Sequence, residues 1–279
     1  MAVKSVKGKV ILVAGATGGI GSSLCELLSS QGATLAIVGR NDGALRRQAG
    51  SLQAAGGDVT PFISRLASGE EWNELFRNVK ERFGRVDAAI HAIGSLVPGH
   101  LDTLGEEEIE NVTQANLHSV IYFIRGCTPL MREQRRGHML VVGSLGGVVP
   151  MPYEALYSSM KFAVRGLVLS LRRELRDYGI LLSLVSFGPV QTGMLDLEAG
   201  DPQSSITFVT APIKPLNAAR AVLAVLQHPR AEYIPGRFLH GLSRLASFMP
   251  SLFEALLPVL DFFGRAGLAR YRLDTKGCQ

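Results

Sequence analysis

The sequence predicts an α/β fold: a doubly wound, mostly parallel seven-stranded sheet with helices on both faces and a helical C-terminal extension. Short β-rich runs alternate with longer amphipathic patterns almost from end to end. The runs are apolar throughout rather than alternating, as strands covered on both faces require. Right-handed crossovers between such strands then wind the sheet in both directions. The first strand is expected at 10–14, ahead of a glycine-rich turn and a helix at 19–31. Strands at 34–38, 58–64 and 86–91 follow, with helices at 42–55, 70–83 and 105–135. A strand at 138–142 leads into a helix at 155–178, and one at 181–186 precedes a helix at 216–228 and a last strand at 232–235.

No linker, low-complexity tract or repeat interrupts this rhythm, so residues 1–236 are read as one domain and 237–279 as its extension. In the extension, Phe238, Leu242, Leu245 and Met249 recur at helical spacing, then Leu252, Phe253, Leu256, Leu257, Leu260 and Phe263 around Pro258. Two short amphipathic helices are expected, at 238–249 and 251–264. Packing on the domain or on a neighbouring subunit is the plainer expectation for them. Capping a substrate cleft is a further one. Peripheral membrane contact through 238–264 is another, because Arg237, His240, Arg244 and Arg265 flank the apolar stripe.

The chain has 279 residues, 47% of them hydrophobic, enough to bury a core without staples. Its net charge of +5 is dispersed over helix faces, and no nucleic-acid partner is expected. Cys25, Cys127 and Cys278 show neither metal-ligand nor disulfide spacing, which points to a reducing, cytoplasmic compartment and no metal site. Lys4, Lys7 and Lys9 precede an apolar run in the manner of a secretory signal. The glycines after it make a turn instead, so no targeting segment is expected. Gly188, Pro189 and Gln191 break the longest uncharged stretch as a membrane span.

"KVILVAGATGGIGSSLCELL" reads as strand, turn, helix. A backbone that approaches a pyrophosphate closely needs residues without a Cβ, and the following helix N-terminus offers free N–H groups. The strand before and the helix after satisfy the context that a dinucleotide turn needs. Gly15, Gly19 and Gly21 fit G-x-x-x-G-x-G, while Gly15, Gly18 and Gly21 fit G-x-x-G-x-x-G; the turn alone does not choose. At the end of the second strand, Gly39 stands where an acid would hold the ribose hydroxyls of NAD. Arg40 and Asn41 follow, and a guanidinium matches a 2′-phosphate, so NADP(H) is expected over NAD(H).

"PYEALYSSMK" places Tyr153, Tyr157 and Lys161 at four-residue intervals on one helical stripe. A free tyrosine has a pKa near ~10, too high for an efficient base at neutral pH. An ammonium one turn away is expected to lower it, and only Tyr157 has the lysine at i+4. Tyr157 is therefore the expected acid/base, and Tyr153 a packing or substrate-facing residue.

Together with "HAIG" at a strand end, "NL" at 116–117, "VVGSLGG" and "GPVQT", these motifs resemble the short-chain dehydrogenase/reductase family over roughly residues 8–236, in the family's order. The resemblance is to the single-domain branch of this Rossmann-type family, for which G15-x-x-x-G19-x-G21 is the operative spacing. It implies a catalytic set of Asn116, Ser144, Tyr157 and Lys161. Ser144 would bond the substrate oxygen, Lys161 the nicotinamide ribose, and Asn116 would support a relay water. It also implies cofactor contacts from Thr17, Gly18, Ile20, Leu66, Ala92, Gly94, Pro189, Val190 and Thr192, with Thr192 reaching the carboxamide or the phosphates. His91 stands where the family often has asparagine, and is read as a core or strand-end residue. The function implied is an NADP(H)-dependent oxidoreductase that interconverts a carbonyl and an alcohol, in a homodimer or homotetramer. Met151, Tyr153 and Met194 are candidate substrate contacts beside Ser144. The segment 194–212 is expected to be a flexible lid, and the substrate apolar or bulky. A non-enzymatic dinucleotide-binding sensor or scaffold is the alternative.

Overall fold

The computed structural model describes residues 5–276, apart from the side chains of Arg237, Arg244 and Lys276; Lys4 and Cys278 lie outside the described residues. Seven strands form one parallel sheet in the order β3-β2-β1-β4-β5-β6-β7. They are β1 (Val10–Ala14), β2 (Thr34–Gly39), β3 (Asp58–Ile63), β4 (Ala88–His91), β5 (Gly137–Ser144), β6 (Ile180–Phe187) and β7 (Glu232–Tyr233). Six of the sequence-predicted strands fall within about two residues of these bounds; the seventh is cut to two residues, ending before Ile234 and Pro235.

Successive residues of a strand point to opposite faces, and each face has its own core. Ile11 and Val13 join Leu24 and Leu28 of α1 (Gly19–Ser30) and Val222 and Leu226 of α8 (Pro215–Gln227). Leu12 and Ala14 join Trp72 and Phe76 of α3 (Gly69–Phe83), Phe123 of α5 (Ser119–Gln134) and Val164 and Val168 of α6 (Ala155–Arg176). Helix α2 (Asp42–Ala54) adds Leu45 and Leu52 to the first core. The strand order reverses between β1 and β4, which opens a crevice at the carboxyl ends of the strands, the place where such sheets bind ligands.

The stretch expected as one helix over 105–135 is divided. Helix α4 (Glu106–Thr113) runs into a π-helical turn, Gln114–His118, before α5 begins. One extra residue in that turn re-aims the side chains it carries, Asn116 among them.

Two expectations about the last third need correction. The segment 194–212 is ordered as α7 (Gly193–Gly200) and a 3₁₀ stretch, Pro202–Val209, rather than a free lid. The C-terminal extension forms α9 (Arg237–Phe248) and one long helix, α10 (Pro250–Lys276), which continues through Pro258 well past residue 264. The two departures share a cause. A Cβ on Gly264 would stand 2.2 Å from the Ser205 carbonyl oxygen, and one on Gly267 would stand 2.1 Å from that of Phe208. These glycines let α10 lie directly on the 3₁₀ stretch. Ser205 donates to Asp261, Tyr271 to Asp196 at 2.8 Å, and Arg272 to the Ala199 carbonyl at 2.6 Å. The start of α10 and α9 pack inward through Phe253 and Ala246 against Leu145 and Val149. Outward they leave Phe248, Phe262 and Leu273 exposed. No helix of the described residues is long and apolar enough to cross a membrane.

Candidate active site

The turn after β1 owes its shape to backbone contacts that no side chain would survive. Gly15 has a left-handed backbone (φ 83°), and a Cβ there would lie 2.7 Å from the Ala92 carbonyl oxygen. A Cβ on Gly21 would lie 2.1 Å from the Gly15 carbonyl oxygen, and one on Gly19 would lie 2.5 Å from Thr192 Cγ2. At Gly18 the nearest atom would be 3.4 Å away, an ordinary contact. The steric requirement thus falls on Gly15, Gly19 and Gly21, the first of the two spacings.

A cleft of about 500 Å³ opens from this turn. Thr17, Gly18, Gly19, Ile20, Ala92, Gly94, Pro189, Val190 and Thr192 line one part of it, and Ser144, Met151, Tyr157, Lys161 and Met194 another. The α1 N-terminus, free of side-chain capping, faces the same space. These residues fit a dinucleotide: a bare-backbone cradle with free N–H groups for the phosphates, continuous with the polar side chains that would meet its reactive end. Three expected cofactor residues stand away from this lining. Arg40 is exposed just past β2, and Asn41 caps α2 by accepting from the Ala44 N–H at 2.9 Å. Leu66 is buried in the loop after β3 with a positive φ of 55°.

Ser144 ends β5, and its Oγ accepts the Gly146 N–H at 3.1 Å. Gly147 allows that turn to press on α6, since a Cβ there would meet the Lys161 carbonyl oxygen at 2.6 Å. Ser158 fastens the contact by donating to the Gly146 carbonyl at 2.6 Å. Ser144 and Tyr157 are thereby fixed side by side. Asn116, fully buried in the π turn, donates to the Ser95 carbonyl at 2.6 Å and the Val112 carbonyl at 2.9 Å. Its Oδ1, Lys161 Nζ and Met194 Cε all lie within 3.6 Å of where a Cβ on Gly94 would be. The four expected catalytic residues are gathered in one place.

The electrostatics differ from the sequence-based expectation. Lys161 is only 6% exposed, and burial brings its pKa down to about 8. Its Nζ lies over the Tyr157 ring, 5.2 Å from the centroid. Tyr157 is pushed above its ordinary pKa, chiefly by burial; the Ser144 hydrogen bond opposes that shift, and Glu198 and Glu154 add to it. Desolvation, rather than the neighbouring ammonium, sets the direction of the shift. Tyr157 is therefore held as a neutral phenol.

Tyr153 does not line the cleft. Its backbone is left-handed (φ 62°), and its ring packs edge-on against His100 with centroids 5.1 Å apart. The left-handed residue swings the side chain off the stripe that sequence spacing alone assigns to it. His91 is a core residue, 2.9 Å from Ser119 Oγ and stacked on Trp72, its pKa brought down to about 3 mainly by burial.

Sequence reasoning missed Glu154 and Glu198, which both line the cleft and are 4% and 9% exposed. Neither forms a salt bridge among the described residues. Burial, the larger cause, and mutual repulsion with Glu198 raise Glu154 to about 8; burial raises Glu198 to about 7. Glu154 was visible in the quoted stretch, but nothing in the residue order shows that a helix 44 residues on delivers a second carboxyl beside it.

A parallel sheet with a switch-point glycine cradle and a tyrosine–lysine–serine cluster defines the class, a dinucleotide-binding oxidoreductase. The profile of the short chain dehydrogenase family matches residues 9–201, and the chain belongs to that family. The 2,3-dihydro-2,3-dihydroxybenzoate dehydrogenase of Bacillus subtilis is 31% identical over 194 residues, 70% of this chain and 74% of that one. A short chain dehydrogenase/reductase from Burkholderia phymatum, solved with NAD, superposes with a TM-score of 0.81 at 24% identity, covering 89% of this chain and 96% of its own. An actinorhodin polyketide ketoreductase variant solved with NADPH does so with a TM-score of 0.76 at 25% identity, covering 83% and 97%.

The two glutamates set a pH dependence of stability. A carboxyl whose folded pKa is raised stabilises the fold fully below its unfolded value near 4.5, and that contribution is lost as pH rises through about 7 and 8. Asp201 and Tyr157 also face the pair, and neither supplies a positive charge. The Tm of the natural chain should therefore fall, relative to a Glu154→Gln/Glu198→Gln variant, between about pH 5 and pH 8. Parallel Tm curves across that window would contradict the assignment.

Proposed function

We propose that this chain is an NADP(H)-dependent oxidoreductase that interconverts a ketone and a secondary alcohol, acting on an apolar or bulky substrate of steroid-like, fatty-acyl or polyketide-like character. The supporting observation is the convergence of Ser144, Tyr157 and Lys161 on the cleft that begins at the glycine turn. When bound there, the cofactor supplies or accepts the hydride. Tyr157, a neutral phenol, gives its proton to the substrate oxygen in reduction and takes it back in oxidation. The Ser144 hydroxyl accepts the Gly146 N–H and faces the Tyr157 phenol, so its hydrogen can turn to that same substrate oxygen. The Lys161 ammonium, which holds its proton less tightly than an ordinary lysine, can return a proton to the phenolate that Tyr157 becomes in reduction and regain one from solvent water past Asn116.

The NADP(H) reading rests on Gly39 and Arg40. A Cβ at position 39 would lie 3.7 Å from Thr17 Oγ1, so an acid there would face the glycine turn. Glycine removes that charge, and the exposed guanidinium of Arg40 follows it. The ketoreductase neighbour solved with NADPH is in keeping with this choice. The apolar reading rests on Met151, Phe187, Met194, Phe238, Leu242 and Phe253 around the cleft. On this reading residues 1–236 are the catalytic domain of a cytoplasmic homo-oligomer, 237–279 are its extension, and α9 and the start of α10 cover the cleft.

Tyr157→Phe should lower kcat for NADPH-dependent ketone reduction by at least about 100-fold while leaving NADPH affinity unchanged in a fluorescence titration. Retention of most activity would refute the acid/base role. Tight NADPH binding by the natural chain with no hydride transfer to a broad ketone panel would favour a sensor instead. Arg40→Ala should weaken NADPH binding about tenfold or more and NADH binding hardly at all. An equal loss for both, or none, would defeat the cofactor assignment.

A further inference from the structure

The cleft contains a charge problem that hydride transfer does not explain. Glu154 stands at the entrance of α6, one turn before Tyr157, and Glu198 comes from α7; both line the cavity. Both are more than nine-tenths buried, yet no arginine, lysine or histidine pairs with either among the described residues. The Thr207 hydroxyl lies 3.5 Å from Glu154 Oε1, at the limit of a hydrogen bond. Ser204, 2% exposed, turns its hydroxyl towards Glu154 without reaching a partner of hydrogen-bond geometry. Buried carboxyls without a compensating cation are costly, and an orphaned hydroxyl beside them adds to that cost. Met151, Met194, Leu242, Phe253 and Leu260, which line the same cleft, offer the pair nothing.

We propose that Glu154, Glu198 and Thr207 form a substrate subsite for a hydrogen-bond donor, an ammonium in preference to a hydroxyl, carried on the non-reacting end of the carbonyl or alcohol substrate. This deepens the oxidoreductase reading and rests on it for which end of the substrate reacts. A donor placed there supplies the protons or positive charge that the protein withholds from its own carboxyls. A carboxylate gains no positive partner from the pair, so acid-bearing substrates are disfavoured at this end. The position of the pair explains why it is built from two elements. Glu154 is fixed to the helix of Tyr157, and Glu198 to the segment that α10 clamps in place. The subsite is therefore complete only when the C-terminal helix is docked.

The test uses four ketones on one scaffold: acetophenone carrying a 4-aminomethyl, 4-hydroxymethyl, 4-methyl or 4-carboxylate group. Each is titrated calorimetrically into the full chain, with NADP⁺ present so that no turnover occurs, and again without it. The expected order of affinity is aminomethyl, hydroxymethyl, methyl, carboxylate, with roughly tenfold or more between aminomethyl and methyl. In Glu198→Gln and in Glu154→Gln the aminomethyl advantage should shrink to within threefold of methyl; two single variants protect the test against one failing to fold. A flat series, no binding of any of the four at millimolar concentration, tightest binding of the carboxylate, or the natural order retained in both variants would each overturn the proposal. The cofactor-free titration separates this failure from that of the oxidoreductase reading. If NADP⁺ does not bind but the order holds, the cofactor assignment is wrong and the subsite stands.

Discussion

Exclusion of water from one short stretch of α6 governs the rest of the site. Tyr157 and Lys161 are both buried, and their ionisation is set by that burial more than by their attraction for each other. A phenol pushed up and an ammonium pushed down move apart in proton affinity, so the lysine gives up its proton first and a tyrosinate formed in the reaction recaptures one readily. The same dryness raises the pair of glutamates across the cavity. Every titratable group in the cleft is displaced towards its uncharged form.

Close backbone approaches hold that dry space together. Gly15 and Gly21 fold the turn onto itself beside Ala92, and Gly147 sets the Ser144 turn against α6. Gly264 and Gly267 let α10 lie flat on the 3₁₀ stretch that bears Thr207. At each of these positions an added methyl would strike backbone, which cannot move aside as a flexible side chain can. The chain uses absent side chains to bring backbones together, and the polar groups of the cleft are carried on the segments so joined.

Much of this was legible in the residue order. Continuous apolar strands and amphipathic helices gave the sheet and its two covered faces, because the periodicity is local. The glycine turn, Ser144, Tyr157 and Lys161 were readable because each lies at a fixed offset within one strand or helix. What escaped depended on contacts between distant segments. The last helix was expected to stop at 264, whereas Gly264 and Gly267 lie within α10 and mark where it meets residues 205 and 208. Tyr153 shared a helical stripe with Tyr157 on paper, but it precedes the helix and takes a left-handed backbone. Glu154 and Glu198 became a pair only through tertiary packing. The balance between Coulomb attraction and desolvation at Tyr157 likewise depended on a burial that spacing does not report.

The claim that desolvation sets the acid–base chemistry is tested most directly by the titration of Lys161 itself. Selective isotope labelling of lysine, with Lys161→Arg to assign the resonance, follows its side chain by NMR from pH 6 to pH 12. The account predicts a midpoint near 8 for Lys161, well below the ordinary lysine value of about 10.4. A midpoint at or above that ordinary value would show that the cleft stabilises the ammonium, and would contradict it.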